Sequence, residues 1–247
     1  MLGYIIYRDG AGRRPVLGDR QVSGGNFVTL EMGIHPRPSG PAALYHARRG
    51  VRLLREAGVR SAVFPVDFPY TALFIRQGVL PIDTLPLRRT LAAPVIRRRL
   101  EAGGYLPTQA VAAVSGERPV REVTECAKAL AMSYRYVLLS VKGDAAPFAR
   151  NLRREYGISL VLDPSPDQLD RADALALFSP RTDLRLDNPI LYTLYPGGEA
   201  GRGRLPLCLP AALAERLESN CDREQLTAAL YSMGVLTAEQ LLAETER

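Results

Sequence analysis

Three short stretches hold most of the residues that could do chemistry. Ser115-Gly116-Glu117, Lys142-Gly143-Asp144 and Asp163-Pro164-Ser165 each follow directly on an apolar run, at 111–114, 136–141 and 158–162. Asp67 closes a fourth run in the same way, after 61–64. Lysine offers a compact charge that can meet a phosphate or a carboxylate. Serine hydroxyls both donate and accept hydrogen bonds. Paired carboxylates can share acid–base work or hold a cation. The backbone N–H groups after Gly116 and Gly143 should point into the same cleft, where the partial positive charge of helix N-termini favours an anion. The candidate binding residues are therefore Asp67, Ser115, Gly116, Lys142, Gly143, Asp144, Asp163 and Ser165. The same residue types also make ordinary turns and helix caps, so each has a structural reading beside the functional one.

Lys142 stands out by contrast. Only Lys128 and Lys142 are lysines, so 30 of the 32 basic residues are arginine (32 − 2). With so much Ala, Leu, Gly and Pro, that skew fits codon bias before it fits phosphate recognition.

No motif in the sequence names a reaction or a cofactor. The GxGxxG of nicotinamide-binding folds is absent, since Ser115-Gly116-Glu117-Arg118-Pro119 carries one glycine. A Walker phosphate loop is absent as well. His35 and His46 are the only histidines and match no common metal-ligand spacing, so no metal site is expected. Cys126, Cys208 and Cys221 form no CxxC pair and read as reduced thiols. Cys126 reads as a buried helix residue, because free cysteine usually packs as a small hydrophobe.

The elements that must carry these residues alternate. Apolar runs of four to six residues are separated by longer amphipathic stretches between 59 and 178. That is the pattern of an α/β fold: three layers, Rossmann-like, with a mostly parallel sheet covered on both faces. The three apolar runs at 111–114, 136–141 and 158–162 should be neighbouring or near-neighbouring parallel strands. Their C-terminal ends would then share one edge, where open α/β sheets bind ligands.

Around this core, runs at 4–7 and 26–32 suggest two strands of a small β unit, read as a hairpin joined by a long connection. A helix at 42–57 should bury Ala43, Ala47, Val51 and Leu54 and expose Arg48, Arg49, Arg52 and Arg55. A longer helix to about 102 contains Pro94, which predicts a kink or break. Helix 146–156 should bury Phe148, Leu152 and Tyr156. Residues 196–204 read as a loose glycine loop. The tail reads as helical, with Asp222 and Thr237 as N-caps. The expected organisation is a β unit at 1–35, an α/β domain at 36–195 that is either one sheet of about six strands or two halves meeting near 105–108, and a helical segment at 205–247 packed on it.

The chain has 247 residues, 47% hydrophobic and 23% charged, with a formal charge of +6. Those proportions suit a globular protein with a sizeable core. Arg88-Arg89 and Arg97-Arg98-Arg99 lie on one helix, without aromatic interleaving or a recognised binding motif, so specific nucleic-acid binding is not expected. The N-terminus lacks a signal-peptide pattern and no stretch is long and apolar enough for a membrane, which leads us to expect a cytoplasmic protein. The sequence points to a protein that binds a small anionic or phosphorylated ligand at the C-terminal edge of its sheet. The alternative is a non-catalytic regulatory or protein-interaction module, contacting its partner through arginine-rich or C-terminal helices. Nothing in the sequence bears on oligomeric state.

Overall fold

The computed structural model describes residues 1–9, 14–34, 38–198 and 220–243. The strands are β1 (Leu2–Asp9), β2 (Val16–Val22), β3 (Gly25–Ile34), β4 (Ser61–Val63), β5 (Leu80–Pro81), β6 (Val111–Gly116), β7 (Tyr136–Val141), β8 (Val161–Leu162), β9 (Ala174–Leu177) and β10 (Ile190–Thr193). The helices are α1 (Pro41–Glu56), α2 (Thr71–Arg76), α3 (Leu85–Ala102), α4 (Arg121–Ala131), α5 (Ala146–Tyr156), α6 (Pro166–Asp170), α7 (Arg223–Ser232) and α8 (Ala238–Ala243). The chain divides into two compact units, Met1–Thr84 with Leu207–Arg247, and Leu85–Pro206. Both are α/β, with mostly parallel sheets in a Rossmann-like layout.

In the first unit the sheet order is β2-β3-β1-β4-β5. β1 pairs in parallel with both β3 and β4, and only β2 runs antiparallel, against β3. This corrects the expected hairpin. The runs at 4–7 and 26–32 are parallel neighbours, and the hairpin is β2–β3 instead. Its turn holds Ser23 and Gly24 at φ +54° and +88°, two positive values in succession, as tight hairpins require. β2 had read as connection because it is an edge strand, exposed almost throughout, without the alternation that marks a half-buried strand. Because β1–β3 share a sheet with β4 and β5, a boundary at 35 would cut through that sheet.

Helix α1 buries Ala43, Ala47, Val51 and Leu54 against Ile5, Val28, Leu30 and Met32. Gly50 lets it lie close, since a Cβ there would stand 3.0 Å from Leu30 Cδ2. The C-terminal segment returns to this unit. Asp222 caps α7 by accepting from the N–H groups of Glu224 and Gln225, both at 3.0 Å. Gln225 Oε1 accepts from the Phe64 N–H at 2.9 Å, and Asn220 Nδ2 donates to the Tyr7 carbonyl at 2.8 Å. Leu226, Ala229 and Leu230 are fully buried. Thr237 and Gln240 exchange hydrogen bonds in a capping box at the start of α8. His35, Cys208, most of the glycine loop and the tail before 220 lie outside the described residues.

In the second unit the order is β10-β9-β6-β7-β8, with every neighbouring pair parallel. Counted within the unit, this is 5-4-1-2-3, the doubly wound Rossmann order. The three strands expected to neighbour one another do so as β6, β7 and β8, though β8 is limited to Val161–Leu162. Successive strand residues point to opposite faces. Ala113, Leu138, Leu175 and Leu177 pack with Leu169 of α6 on one face. Helices α3 and α4 pack together and against strands of the sheet.

Helix α3 runs through Pro94 without a break. An internal proline costs about 3 kcal/mol. The fully buried Leu91, Ile96 and Leu100 on either side contribute roughly 1.5–3 kcal/mol each, enough to hold the helix across it. In α5 only Leu152 is buried: Phe148 is half-buried, and Tyr156 turns outward and accepts a hydrogen bond from Lys128 Nζ at 3.0 Å. The chain's division falls at 84/85 rather than near 105–108.

Candidate functional site

A doubly wound sheet has one position where consecutive connections leave in opposite directions. In the second unit that position lies between β6 and β9, because the chain moves from β6 outward to β7 and β8, then returns to β9 on the other side. In doubly wound sheets the loops leaving the C-terminal ends of two such strands part from each other, and ligands bind between them.

Arg181 lies in the loop after β9 and reaches across the ends of β6 and β7. Its Nη1 donates to Ser115 Oγ at 3.1 Å and to Ser140 Oγ at 2.9 Å. Ser115 and Ser140 are register partners on adjacent strands, so their side chains stand on the same face. Both are buried, Ser115 completely. Nε and Nη2 donate to the two oxygens of Asp183, each at 2.7 Å. One N–H of Nη2 is left over in that set of five donors. The loop is fixed from below as well, by a hydrogen bond of 2.7 Å from the Phe178 N–H to the Ser115 carbonyl.

The electrostatics follow from this arrangement. The Arg181 hydrogen bonds, with a smaller contribution from the charge of Lys142, hold the Asp183 carboxyl at about 2, well below its ordinary 3.8. Asp183 in turn raises Arg181, against the opposing effect of partial burial. Lys142 is therefore near enough to act on the same carboxylate. It is exposed, directly after β7, and its backbone N–H donates to the Glu117 carbonyl at 3.0 Å, which ties the loops after β6 and β7 together.

Seven of the eight residues singled out in the sequence stand at the ends of β6, β7 and β8. Their roles differ. Ser115 is the buried hydroxyl under Arg181. Gly116 gives α4 its close approach, since a Cβ would meet Val123 Cγ2 at 2.9 Å. Gly143 adopts φ +122° in the exposed turn after Lys142. Asp144 accepts from the Ala146 N–H at 2.9 Å and shapes the entry to α5. Asp163 is exposed at φ +49°, and its own N–H donates to the Leu139 carbonyl. Ser165 is engaged in a capping box with Gln168 at the start of α6. Asp67 belongs to the first unit, in the turn after β4 at φ +58°, in a different sheet from the rest.

Sequence reasoning missed Ser140, Arg181 and Asp183. Ser140 is the one polar residue inside the run 136–141, a visible signal. Arg181 and Asp183 sit in a segment that reads only as polar and turn-like. Their importance depends on β9 lying beside β6, which strand order decides and sequence spacing does not.

Among the described residues, no group of three or more His, Cys, Asp or Glu side chains could hold a metal ion. Among them, too, no helix is long and apolar enough to cross a membrane.

No protein-family model matches the chain, and no curated protein matches it. Solved structures do match. The catalytic subunit of aspartate transcarbamoylase from M. jannaschii aligns at 13% identity and TM-score 0.30, over 71% of this chain and 60% of that one. L-tryptophan dehydrogenase from Nostoc punctiforme aligns at 12% identity and TM-score 0.31, over 71% of this chain and 56% of that one. In both cases the chain spans less than two thirds of the matched protein. Likenesses this distant carry no argument about the site, and the fold rests on the strand order itself.

Proposed function

We propose that the second unit binds a small anionic ligand, phosphorylated or carboxylated, in the crevice between the C-terminal ends of β6 and β9. One observation carries this reading: a guanidinium held on two buried serine hydroxyls at the switch point of the sheet. Arginine presents a planar fork suited to phosphate and carboxylate. A fork with its Nη1 already fixed loses less freedom on binding than a free side chain.

Asp183 fills that fork now. Its side chain is 47% exposed, so water can take over its hydrogen bonds when it leaves. An incoming oxyanion takes the place of the Asp183 carboxylate on Nε and Nη2, and Lys142 meets it from the β7 side. Asp183 thus acts as an internal stand-in that keeps the guanidinium paired while the ligand is away.

The test is a thermal-shift screen with inorganic phosphate, sugar phosphates, nucleotides and dicarboxylates, since a ligand of the native state raises its melting temperature. The best ligand is then titrated by calorimetry into the wild type and Lys142→Ala. Loss of one charge-assisted contact of about 1.5–3 kcal/mol corresponds to weakening by roughly tenfold to a hundredfold. A panel without a binder, or equal affinities in the two proteins, would refute the reading.

A further inference from the structure

The first unit carries a separate groove of about 550 Å³, lined by Arg48, Arg52, Arg55, Glu56, Arg60 and Gln77, together with Val51 and Gly58. It lies at the C-terminal end of α1, beside the starts of β4 and β5. That is the opposite edge from the one where open α/β sheets usually bind ligands. Arg48, Arg52 and Arg55 follow the i, i+4, i+7 spacing of one helix face. Arg60 joins them from the turn into β4, and Gln77 from the end of α2. Gly58, at φ +76° in the turn after α1, is exposed beside them.

The dipole of α1 favours Arg55, which lies in its last turn, but not the crowding of three arginines on one face. Like charges three and four residues apart on a helix repel by a few tenths of a kcal/mol per pair. Among the described residues none of the four arginines is ion-paired, and neither is Glu56. Four guanidiniums face one carboxylate, and the end of α1 adds about half a negative charge, which leaves an excess of roughly two to three positive charges. A monoanion would leave much of that excess in place. The volume lies in the range of small-molecule sites rather than of an extended nucleic-acid track.

We infer that this groove is a second binding site, for a small molecule bearing two or more oxyanion groups, such as a diphosphate. Its arginines hold the ligand by charge-assisted forks, and Gln77 offers an amide donor beside them.

Pyrophosphate is the probe, titrated by calorimetry into the full chain at low and at physiological salt, beside inorganic phosphate. Pyrophosphate binds roughly tenfold or more tightly than phosphate if the charge excess is used. Arg52→Gln and Arg60→Gln each weaken pyrophosphate by about tenfold, the scale of one lost charged contact. Arg49→Gln, exposed on the same helix but outside the groove, changes affinity by less than about twofold, as expected for a charge felt only through screened solvent. All three positions are exposed, and melting curves check that each variant folds. Equal losses in the three variants would reduce the effect to a diffuse positive field and overturn the site. No loss in any would move binding elsewhere, to Arg181 for example, and overturn it too. Single-stranded or duplex DNA competing for the same arginines and binding more tightly than pyrophosphate would replace it with a nucleic-acid surface.

Discussion

Arg181 and Asp183 meet in a fork of two parallel hydrogen bonds, both 2.7 Å, at the C-terminal edge of the second unit's sheet. The pair does two things at once. It fixes the loop after β9 over the ends of β6 and β7, and it occupies the surface of the guanidinium best suited to an oxyanion. The structural role and the proposed functional one thus meet in one contact, and they respond differently to perturbation.

Asp183→Asn separates them. The amide no longer competes as an anion for the fork, so affinity for the anionic ligand should rise by about tenfold, in keeping with removal of a charged competitor. Calorimetry on both proteins measures this. A fall in affinity would mean that Asp183 positions the arginine rather than standing in for the ligand.

The same pair sets a pH dependence. Asp183 titrates at about 2, below the ordinary 3.8, because Arg181 hydrogen-bonds its charged form. A depressed acid contributes stability that is complete above the unfolded value. That contribution should fade as pH falls from about 4 toward 2. A carboxyl titration of Asp183 by NMR reads the value directly, and an ordinary midpoint near 4 would show the fork to be absent in solution.

Ser115 and Ser140 should matter for stability in proportion to their burial beneath Arg181. Replacing either by alanine removes an acceptor from a charged donor, worth roughly 1.5–3 kcal/mol where solvent is excluded. The lower figure applies here, since the Arg181 side chain is 21% exposed and water can partly compensate. Urea unfolding of each variant measures the loss. Changes below about 0.5 kcal/mol, the scatter of ordinary surface substitutions, would contradict the arrangement.

Much of the fold was legible from the chain. Continuous apolar runs at 111–114 and 136–141 required strands covered on both faces, and Ala43, Ala47, Val51 and Leu54 marked one face of α1. Asp222 announced its helix by its position before an amphipathic run. What stayed hidden depends on non-local pairing. β2 lacks alternation because an exposed edge needs none. Pro94 argued locally for a kink or a break, and α3 is not broken there, with Leu91, Ile96 and Leu100 buried on either side. The site followed the same division. Ser115 and Lys142 were placed at strand ends because strand ends can be read from sequence, and the proposed site includes them. Arg181 was missed because only the order β10-β9-β6-β7-β8 brings the loop after β9 over Ser115 and Ser140. Asp144 and Ser165 had the right residue types at the right edge, yet their side chains serve the local turn and cap.

Cys126 offers a check on the second unit's packing. It is 5% exposed in α4, and burial pushes its thiol up to about 12. A thiol so far from its thiolate form reacts slowly at neutral pH. Peptide mapping after treatment with a thiol reagent at pH 8 should find Cys126 unmodified in the native protein and fully modified in denaturant. Rapid native labelling would mean that α4 opens far more readily than its burial implies.

The most direct test of the account is a crystal structure of the protein with the best anionic ligand from the screen. An oxyanion should lie within hydrogen-bonding distance of Arg181 Nε and Nη2, with Asp183 turned out to solvent and Lys142 Nζ on the ligand's other side. Ser115 and Ser140 should still hold Nη1. A ligand bound elsewhere, with the Arg181–Asp183 fork intact, would contradict it.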